Sequence, residues 1–201
     1  MSETRKGMLL VISGPSGTGK GTIIKNLMAA DKNLVFSVSA TTRNPREGEV
    51  DGVHYHFMSV ERYQELVAED AFVEHATVHG NLYGTLKSEV NARLERGEDV
   101  VLDIDVQGAL NVIGKGIECV SIFILPPSLK ILRARLTERG TETPEEVERR
   151  LHNAIGELTH KDKYQYKVIN DELDEAVHTV QTIIEAQRHA RAYYSVEVPE
   201  E

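Results

Sequence analysis

The chain has 201 residues, enough to bury one sizeable core carrying substructures that move on it, so a division into independent domains is not required. Lys and Arg number 23 against 32 Asp and Glu, a formal charge of -9, which argues against a surface that coats nucleic-acid phosphates; any anion must be met locally. Cys119 is the single cysteine, so a disulfide framework within one chain is excluded, and its place in an apolar run makes it a small core residue in a reducing compartment.

Taken in chain order, residues 8–13 form a continuous apolar run, the pattern of a strand buried on both faces of a parallel sheet. The run is far too short to span a membrane and lacks the form of a signal peptide, so a cytoplasmic protein with no membrane partner is expected. A glycine-rich turn follows, then a predicted helix over residues 22–30. From 37 to 83 the sequence mixes Thr, Arg, Gly, His and Tyr with short apolar alternations, which predicts small antiparallel strands and one helix near residues 59–69 rather than a βαβ unit. Residues 100–104, 119–125 and 166–169 read as further central strands, separated by stretches long enough for crossover helices, and imply a doubly wound α/β core. Between them, residues 126–158 predict two charged helices joined by a turn over 140–143. Thr143 caps the second, Pro144 fits its first turn and Glu146 completes a capping box, while Leu129, Leu132 and Leu136 read as packing positions of the first. The last helix carries Leu173, Ala176, Val177, Val180, Ile183, Ile184 and Gln187 on one stripe, and residues 198–201 are expected to fray. The expected layout is one domain: a core of residues 1–36, 86–125 and 159–201, an inserted substrate subdomain over 37–85, and a helical lid over 126–158.

Gly14, Pro15, Ser16, Gly17, Thr18, Gly19 and Lys20 lie between a strand and a helix, the context a phosphate-binding loop requires. The glycines let the backbone curl and aim its N–H groups inward. Those groups and the helix N-terminus form a nest for ATP phosphates, and Lys20 adds a point charge at the β and γ positions. A plain turn capping a strand would not require a lysine at that spacing. Gly21 stands where the common pattern has a Ser or Thr whose hydroxyl binds Mg2+, and Thr22 comes next. The Gly-Lys-Gly-Thr variant resembles adenylate kinases, consistent with a nucleoside monophosphate kinase whose Mg2+ is held chiefly by phosphates and water, near Thr22 and Asp103.

Residues 37–46 with Arg43 and Arg46, then residues 48–52 leading to Tyr55, resemble the GMP-binding segment of guanylate kinases. Phe72-Val73-Glu74, residues 80–85 and residues 102–108 match that family in order. Residues 135–143 and Arg149-Arg150-Leu151 resemble its arginine-bearing lid, and residues 168–171 its adenine-side strand. The likeness covers nearly the whole chain and implies an ATP:GMP phosphotransferase of purine nucleotide metabolism.

The chemistry of the residues agrees with it. Arg43 and Arg46 in a Pro-restricted loop can fork onto a monophosphate, and Tyr55 and Tyr83 can add hydroxyl donors. Guanine presents a ring N–H beside an exocyclic amine, which the one carboxylate of Glu74 can accept together. The resemblance implies that Ser39, Thr85 and Asp105 complete the base pocket and that Asp103 serves Mg2+ water or the acceptor. It likewise implies catalysis by Lys20, Arg46, Arg139 and Arg150, with Arg135 and Asn170 joining residues 14–22 around ATP. Taken singly, the arginines and Glu74 would read as solvated surface charges, and His54, His56, His75 and His79 make a weak metal pattern without supporting cysteines. Two rival readings are a guanylate-kinase-like protein-interaction module, against which the intact phosphate loop weighs, and a kinase for another phosphorylated acceptor such as a ribose bisphosphate, against which Glu74, Thr85 and Asp105 weigh.

Overall fold

A computed structural model describes residues 2–78, 80–137 and 143–197. The first half of the chain forms β1 (Ser2–Arg5), β2 (Leu9–Ser13), α1 (Lys20–Ala30), β3 (Leu34–Phe36), β4 (Ala40–Thr41), β5 (His56–Phe57), α2 (Val60–Ala68), β6 (Phe72–Val78) and β7 (Asn81–Leu86). There follow α3 (Lys87–Glu95), β8 (Asp99–Asp103), α4 (Val106–Gly114), β9 (Val120–Leu125), α5 (Leu129–Thr137), α6 (Pro144–Leu158), β10 (Tyr166–Ile169), α7 (Leu173–Arg188) and β11 (Tyr194–Glu197).

The apolar run of residues 8–13 becomes β2, central in a five-stranded parallel sheet of order β10-β9-β2-β8-β3. Alternate β2 side chains leave opposite faces. Leu10 and Ile12 pack with Ile23, Ile24 and Leu27 of α1 and with Ala176, Val180 and Ile184 of α7. Leu9 and Val11 pack with Val90 of α3 and with Val106, Ala109 and Val112 of α4. Because helices cover both faces, every residue of the strand is apolar or small, which is why the run is continuous rather than alternating. The helix after the loop begins at Lys20, two residues earlier than predicted, because Gly19 takes the capping position in a left-handed conformation. Gln187, the one polar residue of the α7 stripe, donates to the hydroxyl of Tyr166 at 2.7 Å. Cys119 is half-buried just before β9, and burial pushes its thiol up to about 11.

A second sheet, β5-β4-β7-β6, rises from residues 40–86. β6 and β7 form an antiparallel hairpin and β4 joins β7 antiparallel, but β4 and β5 run parallel, a departure from the all-antiparallel expectation. The long excursion between β4 and β5 permits that direction. Beneath the sheet, Tyr63 of α2 stacks on Phe72 with ring centroids 4.6 Å apart and donates to the Tyr83 carbonyl at 2.8 Å. Gly84 is required there, since a Cβ would stand 2.7 Å from the Phe72 ring.

The helices α5 and α6 share a separate small core of Leu132, Leu136, Val147, Leu151 and Ala154. Thr143, Pro144 and Glu146 form the predicted capping box. Leu129 corrects the packing expectation: it is 45% exposed, because the first residue of α5 lies before the helix meets its partner. The connection over 138–142, with Arg139, and the expected fraying over 198–201 lie outside the described residues.

Unforeseen from sequence is a ribbon in which β1 pairs antiparallel with β11. At its base, fully buried Asp99 accepts from Arg5, Asn33 and the Met8 amide, and from both Nε and Nη2 of Arg188. One carboxylate thereby ties both chain ends to the sheet.

Candidate active site

The loop of residues 14–20 leaves the carboxyl end of β2, with β8 and β9 on either side. Crevices at the carboxyl ends of parallel strands are where open α/β sheets bind ligands. A Cβ on Gly14 would come within 2.4 Å of the Ile124 carbonyl, so the chain can turn there only without a side chain. Thr18 turns its amide and hydroxyl inward, both onto the Pro15 carbonyl, at 3.3 and 2.9 Å. The Gly19 carbonyl accepts from Thr22 and Ile23 and starts α1. The amides of Ser16, Gly17, Gly19, Lys20 and Gly21 donate to no acceptor among the described residues, the condition for an anion nest at a helix N-terminus. Lys20 donates to the Ile104 carbonyl at 2.9 Å and ion-pairs with Asp103, which ends β8 beside Ile12. Thr22 is exposed on the first turn of α1.

On the facing sheet, Glu74 of β6 and Thr85 of β7 stand opposite each other, and the Thr85 hydroxyl donates to the Glu74 carboxylate at 2.8 Å. Burial raises the Glu74 pKa, the Thr85 hydrogen bond opposes that, and the charge of Asp105 adds to it. Asp105 caps α4, accepting from the Gly108 amide at 2.7 Å. Sequence reasoning grouped these three residues, and the fold brings them together. Of the three, Glu74 lines a cleft of 290 Å³, with His75, Leu110, Asn111, Gly114 and Lys115. Larger clefts, of 620 and 670 Å³, lie away from the phosphate loop, one bordered by Lys6, Val90 and Tyr193, the other along α7.

Arg43 lies over the rings of Tyr55 and Phe57, 5.4 and 5.8 Å from their centroids, and Tyr55 meets Tyr83 edge-on at 6.0 Å. Its guanidinium donates to Glu49 at 2.8 Å and to the Asn44 carbonyl at 2.8 Å. Glu49 also accepts from the Arg46 amide, and the Arg43 hydrogen bond foremost holds its carboxyl well below the usual range. Arg46 itself is exposed. Sequence reasoning named both arginines but missed Glu49, although it sits inside the matched segment of residues 48–52. Ser39 is half-buried and its carbonyl accepts from His56 at 2.9 Å, while the His54 ring accepts from the Val50 amide at 3.0 Å and so belongs to the turn.

The helical pair reaches the loop from the third side. Leu132 and Leu136 press on Gly17, where a Cβ would stand 2.9 and 3.0 Å from them. Arg135 donates to the carbonyls of Asn170 and Asp171, and the Asn170 amide nitrogen donates to the Thr18 carbonyl at 2.7 Å. Arg150 is half-buried on α6. Glu157, near the end of α6, was not foreseen; burial raises its pKa, with Asp105 adding to the shift and Lys20 opposing it, so it shares the field of the loop lysine.

A phosphate loop at the carboxyl ends of a parallel sheet, faced by a small second sheet carrying a half-buried carboxylate and overlaid by a helical hairpin, defines the class of P-loop kinases. The family model for guanylate kinase matches residues 6–187. A guanylate kinase of Caldanaerobacter subterraneus subsp. tengcongensis is 53% identical over 188 residues, covering 94% of this chain and 91% of that one. A guanylate kinase of Clostridium perfringens is 50% identical over 186 residues, covering 92% and 86%. The crystal structure of guanylate kinase from Anaplasma phagocytophilum superposes with a TM-score of 0.69 at 31% identity, covering 95% of this chain and 91% of that one. The chain belongs to the guanylate kinase family and is an enzyme of the nucleoside monophosphate kinase type.

Proposed function

We propose that the protein transfers the terminal phosphoryl group of ATP to GMP, giving ADP and GDP, in the purine nucleotide metabolism of the cytoplasm. The observation that carries this reading is the Glu74 carboxylate, lifted in pKa by burial, held by Thr85 and beside Asp105, on the sheet that faces the phosphate loop. A half-buried carboxylate of that kind is complementary to the adjacent N–H and NH2 of guanine, whereas adenine would leave it unpaired. The intact loop with Lys20 disfavours a pure interaction module, and the Glu74 pocket disfavours a ribose bisphosphate acceptor.

In the proposed reaction the amides of Ser16, Gly17, Gly19, Lys20 and Gly21 and the Lys20 side chain take the ATP phosphates, Lys20 exchanging Asp103 for the β and γ oxygens. Arg43 and Arg46 take the GMP phosphate, with Tyr55 and Tyr83 alongside and Ser39 at the base. Glu49 keeps Arg43 oriented until GMP arrives. Little covalent work falls to the protein: the acceptor oxygen must lie in line with the γ-phosphorus, and Arg139 and Arg150 of the lid stabilise the charge of the loose transition state. Lid closure over the loop excludes water and prevents ATP hydrolysis. Among the described residues no three His, Cys, Asp or Glu cluster as a metal cage, but Asp103 and Thr22 offer hard oxygens beside the loop. That donor set suits Mg2+, which Asp103 and Thr22 would hold largely through water, and which would neutralise phosphate charge when bound.

The test is Glu74→Gln. A neutral amide cannot accept both guanine donors, so the KM for GMP is expected to rise roughly tenfold to a hundredfold, the equivalent of about 1.5–3 kcal/mol for a charged hydrogen bond, with the KM for ATP unchanged. An unaltered KM for GMP would remove Glu74 from the acceptor site.

A further inference from the structure

The side chain of Asn170 reaches the phosphate loop. It follows β10 and is only 5% exposed. Its backbone amide donates to the Leu125 carbonyl at 2.8 Å, which fixes it to the end of β9. Its side-chain nitrogen donates to the Thr18 carbonyl at 2.7 Å. The same nitrogen lies 2.3 Å from where a Cβ on residue 19 would stand, so the amide fills the space that Gly19 leaves open. Its backbone carbonyl accepts from Arg135 of α5 at 3.0 Å.

Thr18 supplies the other half of the argument. Its amide and hydroxyl are both turned onto Pro15, while its carbonyl accepts from the Asn170 side chain. Residue 18 sits between the two left-handed glycines, Gly17 and Gly19, with φ of 89° and 84°, that give the loop its curl. A hydrogen bond at this carbonyl fixes the peptide that joins residues 18 and 19, and with it the direction of the adjoining amides.

We infer that Asn170 is a positioning residue: its amide clamps the phosphate loop in the curvature that binds a triphosphate, and Arg135 ties that clamp to the lid. The inference rests on the ATP:GMP reading of the loop. A clamp of this kind acts on the phosphates and is indifferent to the base, whereas an adenine contact acts on ATP alone.

The test measures kcat/KM for ATP, ITP and UTP at saturating GMP, for the wild type and for Asn170→Asp, whose carboxylate would oppose the Thr18 carbonyl. The expected result is a fall on the order of tenfold with all three donors, leaving their ratios as in the wild type, and an unchanged KM for GMP. A fall with ATP alone, so that the donor ratios converge, would overturn the clamp in favour of base recognition, and no fall with any donor would overturn it outright. If Asn170→Asp does not fold, Asn170→Ala removes the donor without adding charge, and the same ratios decide. A wild type that forms no GDP from GMP would instead sink the underlying reading, which the variant comparison leaves separate.

Discussion

Glu74 carries the acceptor side of the proposed function, and under that proposal its environment sets opposite pH trends for binding and for folding. Its pKa is raised above 4.5, first by burial. Below 4.5 the group is protonated in both folded and unfolded chains, and its full contribution to stability is present; as pH rises through the raised value, ionisation of the half-buried group takes that contribution away. In the proposed reading GMP binding needs the ionised form, so affinity should strengthen over the same window. GMP titrations and thermal melts from pH 4.5 to neutrality are therefore expected to move in opposite directions, and Glu74→Gln should flatten the pH dependence of both. Parallel trends in the wild type would show that another group governs binding. At this scale the sequence was informative wherever a residue's role depends on its own motif: Lys20, Glu74, Thr85 and Asp103 were each singled out. It was silent on Glu49 and Glu157, because an acidic residue becomes part of a site only through approach across the fold, Glu49 to Arg43 and Glu157 to the field of Lys20.

Among the elements, those with a strong period were legible. The buried strands, the α7 stripe and the capping box at Thr143 carry their signals locally. The ribbon of β1 and β11 does not, because the two strands stabilise each other from opposite ends of the chain. The parallel pairing of β4 with β5 was hidden too, since strand direction is set by the path of residues 42–55 rather than by alternation. Asp99 is the anchor beneath the ribbon, at the end of the sheet away from the loop. Removing its charge would leave Arg5 and Arg188 without their shared buried acceptor, although Asp31 still faces Arg188. Asp99→Asn is expected to lower the unfolding free energy by about 3 kcal/mol in denaturant titrations, with the KM for GMP unchanged. A loss below about 0.5 kcal/mol would mean that the network contributes no more than an exposed ion pair.

For the molecule as a whole, a net charge of -9 makes local design necessary. An acidic protein that handles two polyanions must gather its cations and backbone donors at a few points, and the fold does so from three directions. The parallel sheet presents the loop and Lys20, the smaller sheet presents Arg43 and Glu74, and the helical pair reaches across through Leu132, Leu136 and Arg135. Leu132 and Leu136 of α5 lie against Gly17, so under the proposal that the helical pair closes as a lid, donor binding and closure are expected to proceed together. The measurement that tests the central claim most directly is chromatographic detection of nucleoside diphosphates after incubating the protein with ATP and Mg2+ in parallel with GMP, AMP, UMP or no acceptor. GDP accumulating with GMP, matched by ADP and absent from the other reactions, is the expected result. ADP formed equally without acceptor, or no GDP from folded protein that binds GMP, would contradict it.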